Sequence, residues 1–107
     1  MAQFLFLYRG PAQDMSTVTP EQFAAEMAEW NTWMDAVGDS LTDGGNPVVA
    51  HANVTSNGGG TTTDVNGYSI VEAEDLAGAR EFLKDHPHLK NPGNSVDVLE
   101  VMPPQMD

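Results

Sequence analysis

Residues Phe4 to Gly10 read FLFLYRG, and the fold turns on this stretch. Phe4, Phe6 and Tyr8 alternate with Leu5 and Leu7, so a strand built here is apolar on both faces. A strand covered on one side alternates apolar with polar, and one covered on both sides does not. The segment therefore reads as a central strand with packing on each face. Arg9-Gly10-Pro11 ends it, and a polar loop follows.

Working outward, TPEQ opens a helix. Thr19 is the expected N-cap, Pro20 suits the first helical position, and Gln22 completes a capping box. Phe23, Met27, Trp30, Met34 and Val37 recur as one helical stripe, with Glu21, Glu26, Glu29 and Asp35 on other faces. Gly38 is the expected stop. SLTDGGNPVVAHANVTS reads as strand, turn, strand around the Asp43–Pro47 turn, and NGGG at 57–60 supplies another turn. Tyr68–Ala73 is the next strand. Asp75 caps a second helix predicted to run to about Asp85, with Leu76, Ala79, Phe82 and Leu83 on its apolar side. Ser95–Met102 is the last strand, ended by Pro103-Pro104.

The order β-α-β-β-α-β in one domain over residues 1–107 predicts an α+β, ferredoxin-like fold: an antiparallel sheet with both helices on one face. The first strand, however, is apolar on both faces. An open apolar sheet face of several hundred Å² is unusual on a soluble monomer, at roughly the size of the largest patches seen. A second subunit packed sheet to sheet covers it, so a homodimer is expected, forming a dimeric α/β barrel.

Composition narrows the function classes. Four basic residues stand against 16 acidic ones, a formal charge of −12. Such a surface repels phosphate backbones and anionic membranes, so no nucleic-acid or membrane partner is expected. No cysteine is present, which removes disulfides, thiolate metal sites and cysteine nucleophiles. QFLFLY is too short for a signal sequence and lacks its flanks, so a cytoplasmic location is expected. The sequon at Asn53 carries no weight without one. No phosphate-binding glycine loop and no nucleophile elbow occur.

Four segments, FLFLYRG, Glu26–Pro47, Gly67–Leu89 and SVDVLEVMP, together resemble the YCII-related family, in its DGPF-type branch. The resemblance rests on their order and spacing and spans most of the chain. It implies a dimeric α+β barrel. It implies little about reaction: a few members resemble small carbon-acid lyases and dehydrohalogenases, and some sit beside sigma factors. The DGPF tetrapeptide is missing here. Met27 stands near the place where members with a proposed His-Asp dyad carry a first-helix histidine.

The chemistry-bearing residues are few. KDHPHLKNPG, Lys84 to Gly93, holds two of the three histidines. His86 precedes proline and so lies at the helix end, where a charged histidine is favoured by the helix dipole. His88, two residues on, is the candidate base. His51 falls on the presumed strand VVAHANV. His-Pro-His does not place two imidazoles on one helical face, so no metal and no cofactor are expected. Asp43 leads the glycine turn. It either bonds its own backbone or orients a histidine. Arg9 is one of two arginines, a carboxylate clamp or one half of an internal ion pair. Trp30 belongs to the apolar stripe, whereas Trp33 lies to one side and is a candidate lining of a cleft or dimer surface.

Two functions remain open. In one, His88 removes a proton next to a carbonyl, Asp43 orients it, and Arg9 and Trp33 hold a small carboxylated substrate. This would make a cofactor-independent lyase, isomerase or dehydrohalogenase. In the other, the dimer is a non-catalytic module that binds a small ligand or regulates a partner.

Overall fold

The computed structural model describes residues 1–11 and 15–102. Strand β1 is Ala2–Arg9, followed by helix α1, Pro20–Val37, and strand β2, Leu41–Asp43. A two-strand hairpin, β3 at Val54–Thr55 and β4 at Gly58–Gly59, stands apart from the main sheet. Strand β5, Val65–Ala73, helix α2, Leu76–Glu81, and strand β6, Ser95–Val101, complete the chain. The main sheet has the order β2-β5-β1-β6, and each paired neighbour is antiparallel. β1 is central, as its two apolar faces require. This is the expected β-α-β-β-α-β, ferredoxin-like α+β architecture.

The expected caps are present. Thr19 accepts from the Gln22 amide while the Gln22 side chain accepts from the Thr19 amide. Gly38 ends α1 at φ 62° and donates to the Met34 carbonyl. Asp75 accepts from the Gly78 amide at 2.8 Å and opens α2.

One sheet face carries the core: Phe4, Phe6 and Tyr8 of β1, Ser69, Val71 and Ala73 of β5, with Trp33, Val37 and Ala79 packed on them from the helices. Full burial of a residue such as Phe6 or Val71 contributes roughly 1.5–3 kcal/mol. In register on the opposite face lie Leu5 and Leu7, beside Ile70 and Tyr68 of β5 and Leu99 of β6. Nothing among the described residues covers them, and the molecule is a plate 52 × 43 × 20 Å.

Several expectations are corrected. Of the segment read as the strand VVAHANV, residues 48–53 have no regular structure and Val54 enters only the small β3–β4 hairpin; Pro47 bridges to Gly67, the Val48 amide donates to the Asn66 carbonyl, and His51 is exposed. Its valines face solvent, so alternation had nothing to pack against. Helix α2 stops at Glu81 rather than near Asp85, because residues 82 to 84 switch to i→i+3 hydrogen bonds. On α1, Val37 is buried but Phe23 and Met27 are exposed. The helix meets the sheet only along its C-terminal half. The stop at Pro103-Pro104 lies outside the described residues.

Candidate active site

The segment after α2 builds the site. Asp85 adopts a left-handed conformation, φ 57°, which aspartate tolerates better than most residues. His86, held extended before Pro87, is thereby turned inward. Its ring is completely buried. It lies 4.5 Å from the Trp33 ring, 4.8 Å from Trp30 and 5.1 Å from Tyr8, centroid to centroid. The expectation of a charged histidine at the helix end is therefore corrected. Burial in this cage, with His88 beside it, pushes the His86 pKa down to about 3.

The hydrogen bonds around His86 run in one direction. The His88 amide donates to His86 Nδ1 at 3.0 Å, so Nδ1 carries no proton and Nε2 does. Nε2–H then faces the Tyr8 hydroxyl at 3.2 Å. Tyr8 donates to Ser69 Oγ at 2.9 Å, and Ser69 donates to the Gly44 carbonyl at 2.9 Å. Every group in this buried chain has a partner. Burial also pushes the Tyr8 pKa up to about 12, with the Ser69 bond opposing it, so Tyr8 stays a neutral donor.

His88 hangs between the ends of two strands. Its Nε2 lies 2.9 Å from the Arg9 carbonyl and 3.1 Å from the Ser95 carbonyl. Both are acceptors, so Nε2 carries a proton and Nδ1 is the nitrogen left to accept. Nδ1 lies on the side of Asn94, whose amide nitrogen is 3.5 Å away and bonds more closely to the His88 carbonyl, at 3.1 Å. His88, Asn94, Asn66, Trp30, Glu26 and Lys90 are among the residues that line a cleft of about 630 Å³ between α1 and the 87–94 segment.

The other candidates lie elsewhere. Asp43 is exposed and accepts from the Gly45 amide at 2.8 Å, closing its own turn. It pairs with Ile70 on edge strand β2, and β5 stands between it and β1. Two strand spacings, about 10 Å, separate β2 from the strand that carries His88's anchor. The structure brings Asp43 and His88 together only through the relay that ends on Gly44. Arg9 lies on the open sheet face, where it binds Asp64 at 2.6 Å and Asp97 at 2.9 Å. Those carboxylates push its pKa up. Trp33 is buried, and its indole N–H donates to the Phe82 carbonyl at 2.6 Å. The two tryptophans thus exchange the places expected of them: Trp33 is core and Trp30 lines the cleft.

Sequence reasoning missed His86 and Tyr8 as a pair. One signal existed. Tyr8 shares a face with Phe4 and Phe6, and a buried phenol needs a hydrogen-bond partner. No grouping of three or more His, Asp or Glu side chains able to hold a metal occurs among the described residues. No helix among them is long and apolar enough to cross a membrane.

No protein-family model matches the chain, and no curated protein matches it. Among solved structures, it is similar to 5-chloro-2-hydroxyhydroquinone dehydrochlorinase from Burkholderia phenoliruptrix AC1100, in complex with 2,5-dihydroxybenzoquinone. The two share 20% identity over 91% of this chain and 90% of that one, with a TM-score of 0.47. The likeness is one of fold. Nothing about the chemistry of this chain follows from it.

Proposed function

We propose that the cleft beside His88 is a small-molecule site, and that the protein is a cofactor-independent lyase, isomerase or dehydrohalogenase. The division of labour between the two nitrogens of His88 carries this reading. Nε2–H is spent on two backbone carbonyls, which fix the ring and its tautomer. Nδ1 is left unprotonated on a cleft wall. A neutral imidazole held in this way is built to accept a proton.

In the proposed reaction Nδ1 takes a proton from carbon next to a carbonyl. The C–H electron pair moves into the carbonyl to give an enolate, and His88 becomes imidazolium. The proton then returns to another carbon, or the electron pair expels a leaving group from the neighbouring carbon. General-base catalysis of this kind contributes ~10²–10⁴-fold. Asn66 and Asn94 are the uncharged donors on the cleft wall for the enolate oxygen, and Trp30 is its apolar side. For a carboxylated substrate the cation on that wall is Lys90, which lies 3.4 Å from Glu29. Arg9 faces the other side of the sheet and serves the subunit interface instead. Asp43 is a positioning residue here: it shapes the turn whose Gly44 carbonyl ends the Tyr8–Ser69 chain. The functional unit is a homodimer joined through the open sheet face.

A non-catalytic ligand-binding module is the second reading. What favours it is that no carboxylate bonds His88 among the described residues, so the imidazolium would be stabilised only by its two carbonyls.

The test is proton exchange in D₂O. The protein is incubated with small carbon acids (2-oxo acids, 3-oxo acids and hydroxyquinones), and loss of the carbon-bound proton is followed by NMR. Exchange with one of them, reduced at least ~10²-fold in His88→Gln, is the expected result. Exchange that His88→Gln leaves unchanged overturns the assignment. Binding in the cleft without exchange points to the module.

A further inference from the structure

We propose that His86 is the positioning residue of this cleft. Its Nδ1, kept unprotonated because Nε2–H is spent on Tyr8, caps the 87–90 turn and so holds the His88 imidazole on the Arg9 and Ser95 carbonyls. The inference rests on reading His88 as the group that meets the ligand. It assigns a role to a buried histidine that touches no ligand itself.

Three observations carry it. First, His86 is the N-cap of the 3-10 turn Pro87–Lys90, and its side chain accepts the His88 amide. Proline at the first position of that turn offers no N–H, so the His88 amide is the first that needs a cap. Second, this acceptor is an imidazole, which works only in one tautomer. An asparagine would cap as well with no tautomer to control. The Tyr8 hydroxyl supplies the control: it already donates to Ser69, so toward His86 it can only accept, and it selects Nε2–H. Third, the rings of Trp30, Trp33 and Tyr8 pack His86 from several sides, two of the contacts at near-perpendicular or steep angles. A side chain locked in this manner transmits its position to what it holds. The Tyr8 ring also lies 5.1 Å from His88, so one residue braces both histidines.

Among the described residues in contact with His86, the titratable ones are Tyr8 and His88. A proton placed on His86 Nδ1 would meet the His88 N–H head on and break the cap. Cap and tautomer therefore stand or fall together.

The experiment reads the side-chain nitrogen-15 resonances of the full-length protein. Wild type is expected to show both histidines as Nε2–H tautomers, with His86 neutral between about pH 5 and 8, the range in which a free histidine titrates. In His86→Phe the cap is lost, and His88 is expected to become a mixture of tautomers. In His86→Asn the side-chain oxygen replaces Nδ1, and His88 is expected to keep the wild-type signature. A merely structural role would lower the melting temperature in both variants and leave the His88 tautomer alone. If His86→Phe does not fold, Tyr8→Phe takes its place: removal of the hydroxyl takes away the acceptor of Nε2–H, one of the two contacts that fix the His86 tautomer, and the His88 resonances should shift. Unchanged His88 signals in the variant that folds, or an Nδ1–H tautomer of His86 in wild type, overturn the proposal. Where carbon-acid exchange is found, His86→Phe should slow it by about 10²-fold, the cost of a misplaced catalytic group, and His86→Asn should restore it. Absence of exchange would remove the enzymatic reading of His88 while leaving the nitrogen-15 result to decide the role of His86.

Discussion

At the scale of single residues, His86 links stability to pH. Its folded pKa, about 3, lies well below the ordinary value of 6.5. Between these values the unfolded chain binds a proton that the folded one refuses, so folding weakens as pH falls. The contribution is fully present above about pH 6.5 and is lost progressively toward pH 3, at up to about 1.4 kcal/mol per pH unit. Urea denaturation of wild type and His86→Phe between pH 7 and 4 checks this. Wild-type stability should fall more steeply, and the difference between the two proteins removes the background from the 16 acidic residues. Parallel slopes would mean that His86 is protonated in the native state. Nothing local in DHPH announces a buried imidazole. The pre-proline restriction on His86 was legible, but the cage around it comes from β1 and α1, 78 and about 55 residues earlier in the chain.

Among the elements, the Asp43–Pro47 turn is the most exacting. Gly45 has φ 78°, and a Cβ added there would run into the Tyr68 carbonyl of β5. Gly45→Ala therefore combines a left-handed backbone with a direct clash. A loss of about 1–3 kcal/mol is expected. The consequence should reach past stability, because the same turn presents the Gly44 carbonyl to Ser69. Thermal denaturation, with the Tyr8 ring resonances followed in parallel, tests both parts. If Gly45→Ala melts with wild type, the close approach to β5 is not a feature of the folded protein. The turn was readable from DGGNP alone, since glycine and asparagine supply backbone conformations that other residues resist. Helix α1 was readable from its caps and stripe. Which of its two tryptophans is buried was not. The stripe measures only periodicity, and the rotation of the helix is set by where its last turns meet the sheet.

For the whole molecule, the question is what covers Leu5, Leu7, Ile70 and Leu99. A plate 20 Å thick has one layer of helices and one naked sheet face. Sheet faces pack about 10 Å apart, and a standard interface buries roughly 800 Å² from each partner. The Arg9 pairs with Asp64 and Asp97 lie on the same face, toward one end of it. As exposed ion pairs they contribute little to the stability of a lone chain. Sedimentation equilibrium should give the mass of two chains for wild type. Leu5→Glu, which places a charge between Ile70 and Leu99 on the open face, should give one chain with its helical content unchanged. A wild-type mass of one chain would end the dimer proposal.

The sequence by itself determined the β-α-β-β-α-β order of the main elements, the centrality of β1, the caps of both helices and the presence of the glycine turn, though not the course of residues 48–53. These follow from alternation, helical period and the backbone limits of glycine and proline, all of which act over a few neighbouring residues. Only the tertiary structure decided that Asp43 and His88 do not meet, that Arg9 faces away from the cleft, and that Trp30 rather than Trp33 lines it. It also decided that His86 is neutral and buried. Each of these depends on strand order, register and helix rotation. Those are settled by contacts between residues tens of positions apart, on which local pattern carries no information.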